Sequence, residues 1–241
     1  MTKVFSVVSW NVKHFKGEKA RVETVVELLQ DQNPDVFALY EVTGADVFRV
    51  MTEKFPGYIF QITEGPQTQE ILVGIRSTLT AFITQRVSFK AGATHMRPGL
   101  LTTITKDEIN YSLLFLHLAS STMPRGMGLR DEMLQRALKF RHTLDEAYGG
   151  KHKANYIFLG DLNTMGMDYP YDKDIDADTE LRKWRSRASR YYGMRMLEKT
   201  HDQTWSGGSN TLYAPANLDH VFAAKHLQFK LFEKNNNLSF G

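Results

Sequence analysis

The amino-acid sequence predicts a mixed α/β fold with two β-sheets. Strand and helix patterns alternate in the first part of the chain, which is typical of α/β proteins, and strand patterns in the middle are close enough to pair as hairpins. No repeat of fixed period and no linker-like segment interrupts the 241 residues. We therefore expect one domain that spans residues 1–241.

The predicted helices carry apolar residues at helical spacing. A stripe at i, i+3, i+4 and i+7 that begins at Val22 predicts a helix over Glu18–Gln32, which Asn33-Pro34 ends. A similar stripe predicts the longest helix, Leu129–Tyr148, and a shorter helix is expected over Ala45–Phe55.

The strands are predicted from short apolar or β-branched runs bounded by polar residues. In chain order they are Val4–Ser9, Val36–Tyr40, Tyr58–Ile62, Ile71–Arg76, Leu79–Thr84, Leu100–Thr105, Tyr111–Leu118, Ile157–Leu159, Leu218–Ala223 and Gln228–Phe232. The pair around Lys106-Asp107-Glu108 is the clearest predicted hairpin.

Composition describes an ordinary globular protein, with 42% hydrophobic and 24% charged residues. The absence of Cys excludes disulfides and thiolate metal sites. No apolar stretch has transmembrane length and no cleavable signal is recognisable, so we expect a cytoplasmic protein without a membrane span, and we favour a monomer. The net charge of +3 is compatible with a polyanionic partner but does not demonstrate one.

One stretch, Ile157 to Asn163, concentrates the chemistry. Its three apolar residues predict a buried strand, Gly160 breaks the strand, and Asp161 and Asn163 follow two positions apart. Residues at i and i+2 of an extended backbone point the same way, so both side chains can converge on one ligand. A carboxylate can activate a water or hold a divalent cation, and an amide can donate to an anion. The structural alternative is an Asx turn that closes the strand.

Polar, ligand-capable residues lie where the predicted apolar strands end. They are Asn11, Glu41, His117, Asp161 with Asn163, and Asp219 with His220. A single polar residue after a strand is usually solvated or structural, but five such endings with related chemistry indicate a common site, since ligands bind where strands end in α/β proteins.

These residues lie in motifs that resemble those of the endonuclease/exonuclease/phosphatase superfamily, which includes deoxyribonuclease I, exonuclease III-type repair nucleases, sphingomyelinases and inositol-polyphosphate phosphatases. The motifs, in the family's order, are Ser9-Trp10-Asn11-Val12, Leu39-Tyr40-Glu41-Val42, Leu116-His117-Leu118, Gly160-Asp161-Leu162-Asn163 and Leu218-Asp219-His220-Val221-Phe222. Weaker matches are Glu70 before Ile71-Leu72-Val73 and Arg97-Pro98-Gly99. The resemblance extends from Ser9 to about Phe232.

The resemblance implies a four-layer α/β/β/α sandwich, with two mixed sheets face to face and helices outside. It also implies hydrolysis of a phosphoester with a divalent cation, Mg²⁺ in the first place and Mn²⁺ or Ca²⁺ as alternatives. Glu41 would be the principal metal ligand, helped by Asn11, and Asp161 would orient or activate the attacking water.

The resemblance assigns the remaining residues to the substrate. His117 and Asn163 would donate to phosphoryl oxygens, and Asp219 would complete the polar floor of the site. Glu70 would orient His117 or lie near the metal, and Arg97 would contact phosphate.

The chain departs from the family at its C-terminal end. Family members usually finish with a Ser-Asp-His motif, whereas the residues after Asp219-His220 match the penultimate motif and no second Asp-His pair follows before Gly241. A shortened chain, replacement by another His, or a degenerate enzyme would each explain this. We favour the first, because a missing last strand would leave an exposed sheet edge. Replacement by His220 is second, although neighbouring strand residues face opposite sides.

Other features are interpreted as structural or left open. The alternating acidic residues from Asp172 to Asp178 lack the Gly and Glu of an EF-hand, so we expect a solvated loop. The basic and aromatic segment Arg182–Tyr192 could bind nucleic acid, or could be a helix with a solvated basic face and Trp184 and Ala188 packed inward. The remaining histidines, His14, His95, His142, His152, His201 and His226, lack metal-ligand spacing and are taken as structural or surface residues.

The sequence therefore predicts a metal-dependent phosphodiester hydrolase, in the first place a nuclease. The alternatives are a phosphatase or phospholipase on a small phosphorylated substrate, and a catalytically silent module that binds phosphate or nucleic acid. Substrate choice depends on loops rather than on the metal site, so the motifs alone do not separate these alternatives.

Overall fold

A computed structural model describes residues 4–16, 18–43, 45–63, 69–201, 203–208 and 214–230. Over these residues the fold is α/β, with two mixed β-sheets of four and six strands and four α-helices. The predicted fold class is confirmed. The chain divides into two compact units, Met1–His117 and Leu118–Gly241.

The first unit contains the four-stranded sheet and three strands of the other sheet. Its elements are β1 (Val7–Phe15), α1 (Lys19–Gln32), β2 (Val36–Val42), α2 (Ala45–Lys54), β3 (Tyr58–Ile62), β4 (Glu70–Arg76), β5 (Thr80–Arg86), a short 3₁₀ helix (Val87–Lys90), β6 (Gly99–Lys106) and β7 (Ile109–His117). The four-stranded sheet has the order β1-β2-β4-β3, in which β1 and β2 are parallel and the other pairs antiparallel. Strands β5, β6 and β7 form an antiparallel meander.

The core of the first unit fixes β2, the strand that carries the Leu39-Tyr40-Glu41 motif. The predicted stripe of α1 is buried, and it packs in one cluster with β2 residues such as Phe37 and Leu39. The Phe37 ring also meets the rings of Phe55 and Tyr58, each with a centroid distance of 5.5 Å. Gly74 on β4 is required beside it, because a Cβ there would lie 2.5 Å from the Phe37 ring. Strand β2 is therefore a rigid support.

The second unit contributes the other three strands of the six-stranded sheet. Its elements are α3 (Pro124–Ala147), β8 (Asn155–Asp161), α4 (Ala177–Tyr191), β9 (Met194–Met196) and β10 (Asp219–Ala224). Strand β10 lies between β8 and β9 and is antiparallel to both. Asp176 is the N-cap of helix α4, and its carboxylate accepts from the Thr179 amide at 2.6 Å. Part of the acidic loop thus starts a helix.

A buried ion pair joins α3 to α4. The guanidinium of Arg130 donates to both carboxylate oxygens of Glu180 at 3.0 Å, and both side chains are almost fully buried. Arg130 also donates to the carbonyls of Ser121 and Gly166 at 2.6 Å, and the Gly166 amide donates to Glu180 at 2.8 Å. Gly166 has φ +76°, and a Cβ would lie 2.2 Å from the Ile175 carbonyl. We call Arg130, Glu180 and the two carbonyls the α3–α4 clamp.

Three predicted elements differ from the structure by more than two residues at one end. Strand β1 begins later than expected and continues through Asn11 to Phe15, so Asn11 lies inside the strand. Helix α3 begins at Pro124, five positions before the predicted start, with the proline in the first turn where its missing N–H costs nothing.

The third difference concerns the last predicted strand, Gln228–Phe232. Residues 228–230 are not in a strand, and residues 231 and 232 lie outside the described part of the chain. A turn at Lys225-His226 ends β10, and the Leu227 amide donates to the Ala224 carbonyl at 3.0 Å. Because β8 and β9 already pair with β10, no edge of β10 is open to the following segment.

Candidate active site

Glu41 lies at an irregularity where β2 loses its regular pairing on both sides. Strand β2 has one extra residue between the pairs Leu39↔Leu72 and Val42↔Glu70 of the β2–β4 ladder. Glu41 has φ +63°, a left-handed conformation that is uncommon for a residue with a side chain. Such conformations cost on the order of 1–3 kcal/mol and occur preferentially at functional sites. The bulge therefore aims the Glu41 side chain, which keeps 16% of its surface exposed.

Strand β1 holds the Glu41 carboxylate with two donors. The amide group of Asn11 donates to Oε1 at 3.0 Å, and the backbone N–H of His14 donates to Oε2 at 2.9 Å. Asn11 is itself oriented, because its Oδ1 accepts from the Lys13 amide at 2.8 Å. Asn11 is thus a direct hydrogen-bond donor to Glu41, and its predicted contact with a metal stays a prediction.

His117, the last residue of β7, also lies near Glu41. Its Nε2 is 3.9 Å from Oε1 of Glu41, and its ring meets the ring of Tyr40 edge-on at 6.1 Å. Burial holds the pKa of His117 well below the usual value, and the positive charge of Arg97 lowers it further. His117 is therefore a neutral imidazole at pH 7, which can ligate a cation or donate one N–H.

The other two predicted residues of the first unit make contacts within the protein. Glu70 is buried and accepts a hydrogen bond from the hydroxyl of Thr63. Arg97 donates to the backbone carbonyl of Gln69 at 3.0 Å and also to its side-chain oxygen. The Gln69 amide nitrogen in turn lies 2.9 Å from Nδ1 of His14. A phosphate contact of Arg97 and a role of Glu70 beside His117 stay predictions.

In the second unit, Asp161 and Asn163 form the turn that was the structural alternative. The Asn163 amide donates to Oδ1 of Asp161 at 3.0 Å, and Asn163 has φ +49°. The Asn163 side chain also donates to the Leu118 carbonyl at 3.1 Å. Both side chains are buried. An Asx turn does not remove the carboxylate chemistry, because an ionised carboxylate has several acceptor positions.

Asp219 faces the same side of the sheet as Asp161. The two residues are directly opposite in the β8–β10 ladder, whereas His220 pairs with Gly160 and points to the other face. Burial raises the pKa of Asp219 to about 6, although the Thr204 hydroxyl and Lys199 lower it. Two carboxyl groups of β8 and β10 therefore share one face.

His220 is part of the support beneath this segment. Its ring Nε2 lies 2.7 Å from the Thr164 hydroxyl and 3.1 Å from the Asn217 carbonyl, and the side chain is buried. Burial lowers its pKa to about 3, so the ring is neutral. This arrangement agrees with the argument that Asp219 and His220 do not enter one site together.

The sequence motifs did not indicate His14, Gln69 or Arg21. His14 lies beside Glu41, and Gln69 and Arg21 contact the segment that contains His14. His14 was taken as structural or surface, but its ring Nδ1 lies 3.5 Å from Oε2 of Glu41. Arg21 on α1 donates to the carbonyls of Val12 and Lys13. The only local signal was the polar pair Lys13-His14 directly after a motif, which also fits a loop.

Comparisons with known proteins identify a matching family and similar structures. The Endonuclease/Exonuclease/phosphatase family model matches residues 8–235. Truncated TDP2 from Caenorhabditis elegans has a similar structure, with TM-score 0.67, 16% identity and coverage of 92% of this chain and 85% of that chain. A β-hairpin deletion mutant of Staphylococcus aureus beta toxin gives TM-score 0.65 and 15% identity, with coverages of 95% and 90%. TDP2 from D. rerio, complexed with a single-strand DNA product, gives TM-score 0.58 and 18% identity, with coverages of 93% and 86%.

The family match and the fold indicate a class of phosphoester hydrolases whose members generally use divalent metals. The chain belongs to the Endonuclease/Exonuclease/phosphatase family. The predicted resemblance is thus confirmed. No curated protein shows significant similarity to the chain. Among the described residues, no helix has the length and apolar character needed to cross a membrane.

Proposed function

We propose that the protein is a divalent-metal-dependent phosphodiester hydrolase that acts on nucleic acid. The observation that carries this proposal is the position of the Glu41 carboxylate. Glu41 is itself the left-handed residue of the bulge, and its carboxylate lies next to the Asn11 amide and the neutral His117 ring. These groups fit a divalent cation, because Mg²⁺ takes one or two protein oxygens and keeps waters for the substrate. Glu41 would hold the cation, and Asn11 would keep the carboxylate in place.

The bound cation would neutralise charge that develops on the phosphoryl group. The remaining roles belong to the chain. His117 and Asn163 would donate N–H groups to phosphoryl oxygens, and the Asn163 amide has a second N–H besides the one directed at Leu118. Asp161 would orient the attacking water and accept its proton as the water oxygen bonds to phosphorus and the leaving oxygen departs. Asp219 would complete the polar floor.

A nucleic-acid substrate is supported by exposed basic residues on α4. Arg182, Lys183, Arg185 and Arg190 are exposed on this helix, while Trp184 and Ala188 are buried. The helix thus has the predicted solvated basic face, which suits a phosphate backbone. The D. rerio TDP2 structure holds a single-strand DNA product. A small phosphorylated substrate and a silent binding module are the alternatives that an experiment must separate.

The test compares wild type with Glu41→Gln and Asp161→Asn. Substrates are supercoiled plasmid, single-stranded oligonucleotide, bis(p-nitrophenyl) phosphate, a nucleotide and a phosphoinositide, each with Mg²⁺, Mn²⁺, Ca²⁺ or chelator. We expect metal-dependent cleavage of the nucleic acids, reduced about 10²–10⁴-fold by Asp161→Asn, since this is the usual contribution of a general base. Glu41→Gln should also weaken metal binding measured by calorimetry.

Glu108→Gln is the matched control, because Glu108 is an exposed carboxylate in the β6–β7 turn. Full activity of Glu41→Gln would contradict the assignment of the metal ligand. Turnover of the phosphoinositide or the nucleotide alone would replace the nucleic-acid substrate with a small one. Binding of oligonucleotide without turnover at any metal concentration would identify a silent binder.

A further inference from the structure

The ring of His14 lies beside the Glu41 carboxylate without belonging to any family motif. Its Nδ1 is 3.5 Å from Oε2 of Glu41, while 56% of its side-chain surface is exposed. The backbone N–H of the same residue donates to that oxygen. His14 therefore contacts the proposed metal ligand and faces solvent at once.

The backbone at His14 has a left-handed conformation that histidine rarely adopts. Pairing of β1 with β2 lapses between Asn11 and Phe15, and Lys13 and His14 both have left-handed backbones, with φ +46° and +48°. Two consecutive residues with side chains rarely adopt this conformation. Strain of this kind persists only where the surroundings enforce it.

Four backbone groups of this irregular segment have side-chain partners. The Lys13 amide is bonded to Asn11 and the His14 amide to Glu41, while Arg21 from α1 occupies the carbonyls of Val12 and Lys13. Backbone groups released from the β1–β2 ladder are thus satisfied by side chains. Specific hydrogen bonds therefore hold this segment in its left-handed conformation.

The hydrogen bonds of Gln69 favour one tautomer of His14. Arg97 can only donate, so the Gln69 side-chain oxygen faces Arg97 and the Gln69 NH₂ group faces His14. Nδ1 of His14 then accepts from Gln69, and in the neutral ring Nε2 bears the hydrogen. Among the described residues, no protein group is hydrogen-bonded to Nε2.

We propose that His14 is a substrate-binding residue whose Nε2–H donates to a non-bridging oxygen of the phosphate that the Glu41 cation holds. The proposal rests on the proposed function. Gln69, oriented by Arg97, is the positioning residue that keeps Nδ1 an acceptor. The chain thus adds a phosphate donor to those implied by the family motifs, and Arg97 acts through Gln69.

The experiment compares His14→Gln and His14→Leu. Glutamine keeps an N–H donor at about the reach of Nε2, whereas leucine removes it. Neither is β-branched, so both bear a similar cost at the left-handed backbone. His95→Leu is the matched control, because His95 is an exposed histidine of the same unit.

Two quantities are measured for each variant: kcat/KM for bis(p-nitrophenyl) phosphate with Mn²⁺, and calorimetric affinity for inorganic phosphate with Mn²⁺ present. Affinity for Mn²⁺ alone is measured separately. We expect His14→Leu to lower kcat/KM and phosphate affinity about 10–100-fold, as for a lost hydrogen bond to a charged group, with Mn²⁺ affinity unchanged. His14→Gln should recover most of both losses, and His95→Leu should match wild type.

The outcomes separate this inference from the proposed function. Unchanged phosphate affinity in His14→Leu, in a wild type that turns over, would overturn the inference and leave the function intact. Equal loss of Mn²⁺ affinity in both His14 variants would also overturn it, because it would show that the ring only supports Glu41. A wild type without turnover, but with phosphate binding lost in His14→Leu alone, would support the inference and overturn the function.

Discussion

Burial of the Asp219 carboxyl group lowers the free energy of unfolding when the group is ionised. Burial raises its pKa to about 6, and its Oδ1 has no hydrogen-bond partner among the described residues. A raised acid pKa means that the folded protein binds the proton more tightly than the unfolded chain. The stabilising contribution is therefore complete below the unfolded pKa of 3.8 and is lost as the pH rises through about 6.

Asp219→Asn should accordingly stabilise the protein at neutral pH. The variant keeps the shape of the side chain and removes the buried charge, so we expect its free energy of unfolding to exceed that of wild type by roughly 2–3 kcal/mol at pH 7.5. The difference should shrink below about 1 kcal/mol by pH 4. Urea denaturation in chelator, at several pH values, measures it.

His220 does not disturb this comparison. Its depressed pKa acts in the opposite direction, with stability lost as the pH falls below the usual value of 6.5 towards about 3, but both proteins contain it. A stability difference that stayed constant between pH 4 and 7.5 would contradict the assigned burial of Asp219. Gain of stability together with loss of activity would indicate that the site retains this carboxylate for function.

At the scale of elements, the α3–α4 clamp connects helices α3 and α4 to two further segments of the chain. Each of these segments directly follows a site motif. Arg130 holds the Ser121 carbonyl, three residues beyond Leu118, and the Gly166 carbonyl, three residues beyond Asn163. Glu180 neutralises the guanidinium and holds the Gly166 amide. The clamp thereby fixes the turn that presents Asp161 and Asn163.

Breaking the clamp from one side should destabilise the protein strongly. Arg130→Met leaves the Glu180 carboxylate buried without its cation, which typically costs about 3–5 kcal/mol. The double variant Arg130→Met/Glu180→Leu removes both charges and should lose less than Arg130→Met alone. Urea denaturation of the single and double variants tests this, with the exposed i, i+4 pair Glu132 and Arg136 as the control pair. A double variant less stable than the single one would contradict it.

These elements also show what sequence patterns can predict. Apolar spacing found α1, because the stripe from Val22 to Leu29 faces the core for reasons local to the helix. The same reasoning failed for β1, because the bulge at Lys13-His14 depends on Glu41 and Arg21, which lie elsewhere in the chain. Burial of Glu180 likewise depends on Arg130, 50 residues earlier.

The candidate site was predictable to a similar extent. Motif order selected Asn11, Glu41, His117 and Asp161 as candidates, because each lies in or at the end of a recognisable apolar strand. The contacts of Arg97 with Gln69 and of Gln69 with His14 were not predictable, since hydrogen-bond partners 28 and 55 residues apart leave no periodic trace. Patterns report which face is buried; they do not report register shifts or partners of polar side chains.

At the scale of the whole molecule, charge distribution matters more than the net charge of +3. Exposed basic residues concentrate on α4, while Lys183 is paired with Asp131 and Arg182 with the Thr179 hydroxyl. Arg185 and Arg190 are therefore the exposed cations of α4 best placed to meet a polyanion.

Nucleic-acid binding should depend on salt through these residues. Each basic residue that neutralises a phosphate contributes about 0.7 to the slope of log K against log salt concentration for a single strand. Removing such a residue therefore lowers the slope by that amount. Arg185→Gln/Arg190→Gln should weaken oligonucleotide binding and flatten its salt dependence, with kcat/KM for bis(p-nitrophenyl) phosphate unchanged. Fluorescence anisotropy between 50 and 300 mM salt, on the order of the physiological range, measures binding.

Lys19→Gln/Lys54→Gln is the control for this prediction, because it removes the same charge from exposed positions of α1 and α2. Equal effects of the two double variants would mean that only overall charge matters. No effect of either would exclude α4 from the nucleic-acid interface.

The irregular segment of β1 has a consequence for solubility as well as for chemistry. Strand β1 is an edge of the four-stranded sheet, and a regular edge is a template on which another chain can add a strand. The left-handed backbone of Lys13 and His14 interrupts that template. A variant that straightened this segment would release Glu41 from its donor and, by the same change, expose an aggregation-prone edge.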